Sequence, residues 1–349
     1  MVKQKPIQKK PFYKRKGFLW PVGSVVGLIL IVALAFRVSP WPGAMLIRVV
    51  FENGAAKVLK AMEQHVPNKP ITAIANQQYR ENDKDALLDV YYPEGTTAKL
   101  PVVIWTHGGA WISGSKDQDT PYFKLLAAEG YTVVGVNYSR GPEKQYPTAV
   151  YQLNDAYTYI QKNADRFYAD TNKIIFAGDS AGSQLSSQMA GMITNPAYAE
   201  EVGITPSLRP EQLKGVVLNC GIYNMLRLTT PDPTLPRLIG WGDDVTVWAY
   251  VGTKDFEHSE AIKEMSSIEH VNKDFPATYI TGGNADPLTN EQSKFMSAKL
   301  KSLGVDVTEL YYPADHTPTL AHEYQFNLDN SDGQNAFKET VAFIKKHTE

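Results

Sequence analysis

From residue 70 onward, short β-rich runs alternate with helical stretches, and this alternation restricts the possible fold more than any other feature of the sequence. Two extended runs come first, and helical stretches separate the later ones. This order predicts an α/β fold with a mostly parallel, doubly wound eight-stranded sheet and an antiparallel start. The predicted strands are Ile71–Tyr79, Leu87–Tyr92, Val102–His107, Thr132–Tyr138, Ile174–Ala177, Gly215–Asn219, Ala277–Thr281 and Val307–Tyr312. The predicted helices include Pro121–Glu129, Ala149–Phe167, Ala181–Thr194, Glu291–Leu303 and Gly333–His347.

The alternation stops between about residues 224 and 270, where proline, glycine, tryptophan and leucine are frequent. We interpret this stretch as a small cap inserted after the sixth strand of a domain that spans residues 70–349. Its Trp241, Trp248 and Leu238 indicate an apolar pocket for an acyl or aromatic group. Ligands of such sheets bind beyond the carboxyl ends of the strands, so functional residues are expected directly after strands.

The segment Gly178-Asp179-Ser180-Ala181-Gly182 directly follows the predicted strand KIIFA and precedes a helical run. It is a G-x-S-x-G nucleophile elbow in the strand–turn–helix context that this motif requires. Glycines are needed because a tight turn brings backbone too close for side chains. The helix N-terminus that follows favours developing negative charge. Ser180 is therefore predicted to be a catalytic nucleophile.

A second motif, His107-Gly108-Gly109-Ala110-Trp111, follows the apolar strand VVIWT. Two consecutive glycines leave backbone N–H groups bare, which suits an oxyanion hole. The predicted oxyanion donors are the amides of Gly108, Gly109 and Ala181. His107 is predicted to be structural, and Trp111 joins the two cap tryptophans as a candidate for substrate contact.

A nucleophilic serine needs a base, and the base needs an acid that orients it. On an elbow of this kind, the acid and then the histidine follow the serine in the chain. Asp286 follows the strand ATYIT in a loop at its end and is the predicted acid. Two candidate histidines lie between the last predicted strand and the closing helix. His322 is the preferred base because of its distance from the closing helix, and His316, nearer to the strand end, remains the alternative.

From about residue 70 to its end, the chain resembles the α/β-hydrolase superfamily, and within it the hormone-sensitive-lipase-like esterases and lipases. The matching segments are HGGAW, NYSRGPEKQYPTAV, GDSAG and GGNADPL. Two departures are visible: Ala110 and Trp111 replace a third glycine, and Phe326 lies four residues after His322 rather than two. The resemblance implies a serine carboxylesterase or lipase that hydrolyses a small-molecule ester through an acyl-enzyme intermediate.

Two other functions remain open at this point. The same triad could serve an amide-directed hydrolase of the peptidase or arylformamidase type. The chain could also be a non-catalytic binding module, but the intact serine, aspartate, histidine and glycine-loop motifs favour an enzyme. No organic cofactor and no metal are expected, because the histidines show no H-E-x-x-H spacing and Cys220 is the single cysteine.

The N-terminus carries a separate signal. Seven Lys and Arg residues lie in residues 1–17, and an uncharged apolar stretch follows over residues 18–36. At ~1.5 Å per residue this stretch reaches about 28 Å, close to the ~30 Å hydrocarbon core of a membrane. We expect a basic cytoplasmic tail at 1–17, a transmembrane signal-anchor at 18–36, and a linker with an amphipathic helix at 37–69 that lies on the body or on the membrane surface.

The charge asymmetry indicates location and partners. The formal net charge is −2, but residues 1–40 carry eight basic and no acidic residues, so the remainder has 27 bases against 37 acids. An acidic body argues against a nucleic-acid partner. Positive charge before the apolar stretch predicts a single-pass protein of the cell membrane with its catalytic domain outside. The alternative is secretion after cleavage near Ala33-Leu34-Ala35.

Overall fold

The computed structural model describes residues 16–230 and 236–349 of the chain, with side chains from residue 24 onward. Its eight strands form one sheet in the order β1-β2-β4-β3-β5-β6-β7-β8. β1 pairs with β2 and β2 with β4 in antiparallel fashion, and all other neighbours are parallel. The predicted eight-stranded sheet with an antiparallel start is confirmed. The strands are β1 Ile71–Gln78, β2 Leu87–Pro93, β3 Leu100–Thr106, β4 Thr132–Val136, β5 Ala169–Asp179, β6 Leu213–Asn219, β7 Ala277–Gly282 and β8 Val307–Tyr311.

Helices cover both faces of this sheet. Alternate residues of β3, such as Ile104 and Trp105, belong to two different buried apolar clusters, one on each face. The helices are α1 Lys16–Val38, α2 Trp41–Glu63, α3 Thr120–Ala128, α4 Thr148–Lys162, α5 Ala181–Thr194, α6 Pro196–Val202, α7 Met225–Thr229, α8 Arg237–Val251, α9 Glu260–Met265, α10 Ser267–His270, α11 Lys294–Ser302 and α12 Ser331–Thr348. Apolar residues of α4, α5 and α11 pack in the first cluster, and those of α3 and α12 pack in the second. Strands buried on both faces explain the continuous apolar runs in the sequence.

Helices α7 to α10 lie between β6 and β7, at the place where the sequence predicted an inserted cap. Residues 231–235 of the predicted cap lie outside the described residues. Because α7 and α8 follow the carboxyl end of β6, the insertion stands at the edge of the sheet where ligands are expected.

Helix α2 lies on the body of the protein. Gly43 and Ala44 are buried, and a Cβ on Gly43 would lie 2.9 Å from a methyl group of Val245 in α8. Arg48 donates to both carboxylate oxygens of Glu143 at 2.6 and 2.7 Å. These contacts place the predicted amphipathic helix against the domain.

The predicted transmembrane helix at 18–36 is not confirmed. Within the described residues, no single helix has the length and hydropathy to cross a membrane. The segments Ser24–Val38 and Trp41–Glu63 have that length and hydropathy only when they are taken together, and they are bent by 85° at their junction. Pro40 and Pro42 lie at this bend, and a proline interrupts helical hydrogen bonding. Most of the predicted basic tail lies outside the described residues.

Candidate active site

Two loops with predicted chemistry meet at the carboxyl edge of the central strands. β3 and β5 are direct neighbours, with Thr106 paired to Gly178. The glycine loop that follows β3 and the serine elbow that follows β5 therefore lie side by side. Gly108 and Ala181 are 73 residues apart in the chain. The parallel pairing of β3 with β5 is what brings their loops together.

Ser180 lies between the end of β5 and the start of α5 with φ 49° and ψ −118°, a conformation that non-glycine residues rarely adopt. Its backbone N–H donates to the carbonyl oxygen of Asn219 at 2.9 Å, which holds the turn. A Cβ on Gly178 would lie 2.6 Å from the carbonyl carbon of Gly182, and a Cβ on Gly182 would collide with the carbonyl oxygen of Thr106. Both glycines are therefore required by close backbone approach, as the motif predicted.

His322 joins Ser180 to Asp286. Nε2 of His322 lies 3.0 Å from Oγ of Ser180, and Nδ1 lies 2.9 Å from Oδ2 of Asp286. The other carboxylate oxygen of Asp286 accepts the backbone N–H of Leu288 at 2.9 Å. With the Nδ1 proton donated to the carboxylate, Nε2 faces the serine hydroxyl as an acceptor. A nucleophile, a base and an orienting acid thus stand in one hydrogen-bonded row.

His316, the alternative base, lies in a different environment. Its Nε2 contacts Oδ2 of Asp332 at 2.9 Å, and its ring packs against that of Tyr312 with centroids 4.5 Å apart. Asp332 belongs to the first turn of α12. Of the two candidates, the structure brings His322 to Ser180 and pairs His316 elsewhere.

The pKa of His322 is raised to about 9. Burial acts to lower it, but the charge of Asp286, its hydrogen bond and the charge of Glu323 outweigh burial. A raised pKa stabilises the imidazolium that forms when His322 takes a proton. Its base form becomes populated as the pH rises.

The glycine loop differs from the prediction at Gly108. The N–H of this residue donates to Oδ2 of Asp179 at 2.8 Å and is not available to a ligand. The amides of Gly109, Ala110 and Ala181 donate to no group in the described part of the chain. Of the predicted donors, Gly109 and Ala181 thus have unpaired amides, as does Ala110, whereas the amide of Gly108 is occupied. The reason is a buried carboxylate from the adjacent strand end, which binds the first amide of the loop.

A cleft of about 1140 Å³ opens above Ser180 and His322. Trp241 lines it, as the sequence predicted. Trp248 lies seven residues, or about two turns, further along α8. It is buried, it is not among the described lining residues, and Lys254 lies over its ring. Trp111 borders the cleft, but its ring is buried, with Nε1 bonded to Gln184 at 2.9 Å and the ring stacked on Tyr250. Trp111 thus remains a lining residue with a buried ring, whereas Trp248 is not among the described lining residues.

Helix α2 forms a wall of the cleft that the sequence prediction missed. The apolar residues that it contributes are Val50, Phe51, Ala55 and Val58. Helix α8 contributes Ile239 beside Trp241, and Leu228 and Leu288 complete the apolar lining. The spacing of the apolar residues in α2 predicted a one-sided helix, but which surface that side meets depends on the 85° bend.

Cys220 lies beside the hydrogen-bonded row. Its Sγ lies within 4.8 Å of ligating atoms of Asp286 and His322, but the thiol donates to Oε1 of Gln325 at 3.3 Å. Burial raises the pKa of this thiol well above its ordinary value, so it remains protonated. We assign these three side chains to a hydrogen-bonded site rather than to a metal centre.

Comparisons with known proteins find a matching family profile and similarity to esterases. The BD-FAE family profile matches residues 88–300. Esterase LipC of Mycobacterium tuberculosis is 28% identical over 64% of this chain and 54% of its own length. An acetyl esterase of Salmonella choleraesuis is 26% identical over 59% of this chain and 61% of its own. The chain thus spans little more than half of these curated relatives. The crystal structure of esterase B from Lactobacillus rhamnosis superposes with a TM-score of 0.75 at 20% identity, over 87% of this chain and 96% of that one.

Proposed function

The chain belongs to the BD-FAE family, and we propose that it is a serine carboxylesterase that hydrolyses carboxylic esters. Its fold is that of the α/β-hydrolases of the hormone-sensitive-lipase-like esterase group, as the sequence motifs predicted. The observation that carries the proposal is the row of hydrogen bonds from Ser180 through His322 to Asp286, 3.0 and 2.9 Å long. It ends on an exposed cleft beside free backbone amides.

Acylation begins when Nε2 of His322 takes the proton of Ser180 as Oγ attacks the ester carbonyl. The carbonyl oxygen becomes an oxyanion, which the amides of Gly109, Ala110 and Ala181 are placed to bind. Asp286 stabilises the imidazolium that forms. When the intermediate collapses, the C–O bond to the alcohol breaks, and His322 gives its proton to the departing oxygen.

Deacylation repeats these steps with water. His322 takes one proton of the water molecule, and the hydroxide attacks the acyl carbon on Ser180. Collapse of the second oxyanion returns the proton to Oγ and releases the carboxylic acid. All proton transfers pass through one histidine, so no metal or organic cofactor has a step in this scheme.

The lining of the cleft supports an ester with an apolar group as the substrate. Val50, Phe51, Ile239 and Trp241 line the same cleft as Ser180, together with polar and charged groups that include Arg227, Asp243 and Glu291. Relatives whose names specify acetyl esters support ester rather than amide chemistry.

Hydrolysis of p-nitrophenyl acetate, butyrate and laurate tests this proposal, beside the p-nitroanilide of butyric acid. We expect turnover of the esters and little of the anilide. The profile over the three chain lengths reports how far the cleft accepts an acyl chain. Equal or faster anilide cleavage would identify an amide-directed hydrolase instead. A folded wild-type protein that cleaves none of these compounds would contradict the proposal.

We further propose that α1 anchors the protein in the cell membrane, with the basic N-terminus inside and the hydrolase body outside. Its described apolar side chains are largely exposed: Val25, Val26, Leu28, Ile29, Leu30, Ile31, Val32, Leu34 and Val38 show 46–66% of their surface. Near its end α1 meets the body, where Phe36 lies beside Trp241 and Lys254 donates to the carbonyl of Arg37. A helix with so many exposed apolar side chains favours a lipid environment.

Membrane extraction checks the anchor. We expect the full chain to stay in the membrane pellet after an alkaline carbonate wash, at its uncleaved mass. The double substitution Leu28→Arg and Ile31→Arg should release it, because each central arginine costs about 2.5–3.5 kcal/mol of insertion free energy. Leu238→Arg, at an exposed apolar position of α8, is the matched control and should remain in the pellet. Release of the wild-type chain, or a mass that lacks about the first 35 residues, would contradict the anchor.

A further inference from the structure

Glu323 directly follows His322 in a backbone conformation that its side chain does not favour. Its φ is 61° and its ψ is 30°, in the left-handed region that glycine adopts without cost. Residues held in such conformations concentrate at functional sites. This position carries a glutamate, and the esterase scheme above gives that side chain no task.

The carboxylate of Glu323 lies between the base and the oxyanion loop. Its Oε1 is 3.7 Å from Nε2 of His322. The same oxygen would lie 3.2 Å from a Cβ on Gly108. Its carboxyl group is also within hydrogen-bond reach of Asp179, which accepts the N–H of Gly108 and, at 2.8 Å, Nε1 of Trp105. One side chain therefore touches both halves of the catalytic apparatus.

We propose that Glu323 is a positioning residue that sets the protonation of His322 and, through its carboxyl pair with Asp179, holds the oxyanion loop. The inference rests on the proposed esterase function. It adds a residue outside the triad that controls at which pH the triad works.

Atoms of Asp179 and Glu323 would both lie within 3.2 Å of a Cβ on Gly108, so the two acidic side chains are neighbours. Two carboxylates that lie close together repel each other, which favours protonation of the more buried one. Burial and then the charge of Glu323 raise the pKa of Asp179 well above its ordinary value. Protonated Asp179 can donate to Glu323 while it accepts the N–H of Gly108. Of the two acidic side chains, Glu323 is the one beside His322, with Oε1 3.7 Å from Nε2.

The neighbouring elements carry further titratable groups near His322 and Glu323. Asp119, before α3, has a raised pKa because of burial and the charge of Asp179, so it adds little negative charge. The Cys220 thiol, after β6, stays protonated. Burial, and after it the charge of Asp244, raises the pKa of Asp243 in α8 to about 7. Beyond Asp286, Glu323 is thus the principal negative charge at His322.

The sign of the effect follows from the role of the histidine. His322 acts as a base only when it is neutral, and its pKa is raised to about 9. The kcat/KM of the wild-type protein should therefore fall about tenfold for each pH unit below that value. Removing the negative charge of Glu323 lowers the pKa of His322. The acid limb of the pH profile, which is the range where kcat/KM falls with decreasing pH, then moves to lower pH.

The pH dependence of kcat/KM for p-nitrophenyl butyrate tests the inference in the full chain. For Glu323→Gln, which preserves size and can donate to Asp179, we expect the acid limb to move down by about 0.5–1 pH unit. At pH 7 this is a gain of about three- to tenfold, with the plateau at high pH within about threefold of wild type. Glu94→Gln is the matched control, because Glu94 is exposed after β2 at the opposite edge of the sheet and loses the same charge.

A second variant separates charge from backbone strain. Glu323→Gly adopts φ 61° freely but has no carboxyl group to hold Asp179. We expect the same shift of the acid limb as in Glu323→Gln, together with a lower kcat at the plateau because the loop loses its support. If both variants keep the wild-type limb within 0.2 unit, the inference is wrong.

An NMR titration keeps this test independent of turnover. The ring of His322 is followed in protein labelled with ¹⁵N-histidine, and its signal is assigned by its absence in His322→Asn. The midpoint should move down in Glu323→Gln and stay unchanged in Glu94→Gln. An unchanged midpoint in Glu323→Gln overturns the role of Glu323, whereas absence of ester turnover with a shifted midpoint overturns only the esterase function.

Discussion

Ser180→Ala is expected to lower kcat on p-nitrophenyl esters by about 10⁵- to 10⁶-fold, to the level left by the oxyanion amides and substrate binding. The hydroxyl that His322 faces at 3.0 Å is the atom that forms the acyl-enzyme, and alanine offers no replacement. The measurement is steady-state hydrolysis of p-nitrophenyl butyrate with active-site titration of the wild-type protein. A fluorophosphonate probe should label the wild-type chain and leave the variant unlabelled.

The Ser180→Ala protein should fold normally. Alanine meets the same backbone strain at φ 49° as serine, and the N–H bond to Asn219 is kept. A melting temperature within a few degrees of wild type is the control that assigns the loss to chemistry. Ester hydrolysis retained within tenfold in a folded variant would exclude Ser180 as the nucleophile.

His322→Ala should cost about as much as loss of the serine, since every proton transfer in the scheme passes through Nε2. His316→Ala provides the matched control. His316 follows the same strand and also pairs with a carboxylate, but it does so through Nε2, and its partner Asp332 belongs to α12. We expect His316→Ala to change kcat less than about threefold and to lower the free energy of unfolding by about 0.5–1.5 kcal/mol.

Parallel measurement of kcat and of urea unfolding separates the two histidines. The expected pattern is activity lost and stability kept for one variant, and the reverse for the other. Loss of kcat in His316→Ala with turnover retained in His322→Ala would reverse the assignment of the base.

Much of the fold could be predicted because it depends on local pattern. Strand periodicity located all eight strands, and α5 was predicted at its observed bounds, Ala181–Thr194. The helix predicted to run from Ala149 to Phe167 ends at Lys162, because residues 163–168 turn back toward β5 although their composition still permits a helix. Local propensity does not contain that tertiary requirement.

The parts of the site that could not be predicted depend on contacts across the sheet. Gly108 was expected to donate to an oxyanion, but whether its amide is free depends on the side chain of Asp179 from another strand. Trp241 and Trp248 lie about two turns apart on one helix, and only the placement of α8 along the cleft decides which of them lines it. The choice between His316 and His322 likewise required the loop path after β8. In each case the sequence identified the candidate residue, but it did not determine where the fold places its side chain or amide.

The three residues of the hydrogen-bonded row are far apart along the chain. His322 is 142 residues from Ser180 and 36 from Asp286. Contacts of such long sequence separation form late, after the intervening chain has ordered. A newly made chain therefore has its nucleophile long before it has its base, and α12, the last helix, follows the base. The onset of ester cleavage during refolding would therefore report when His322 reaches Ser180, at a late step of folding.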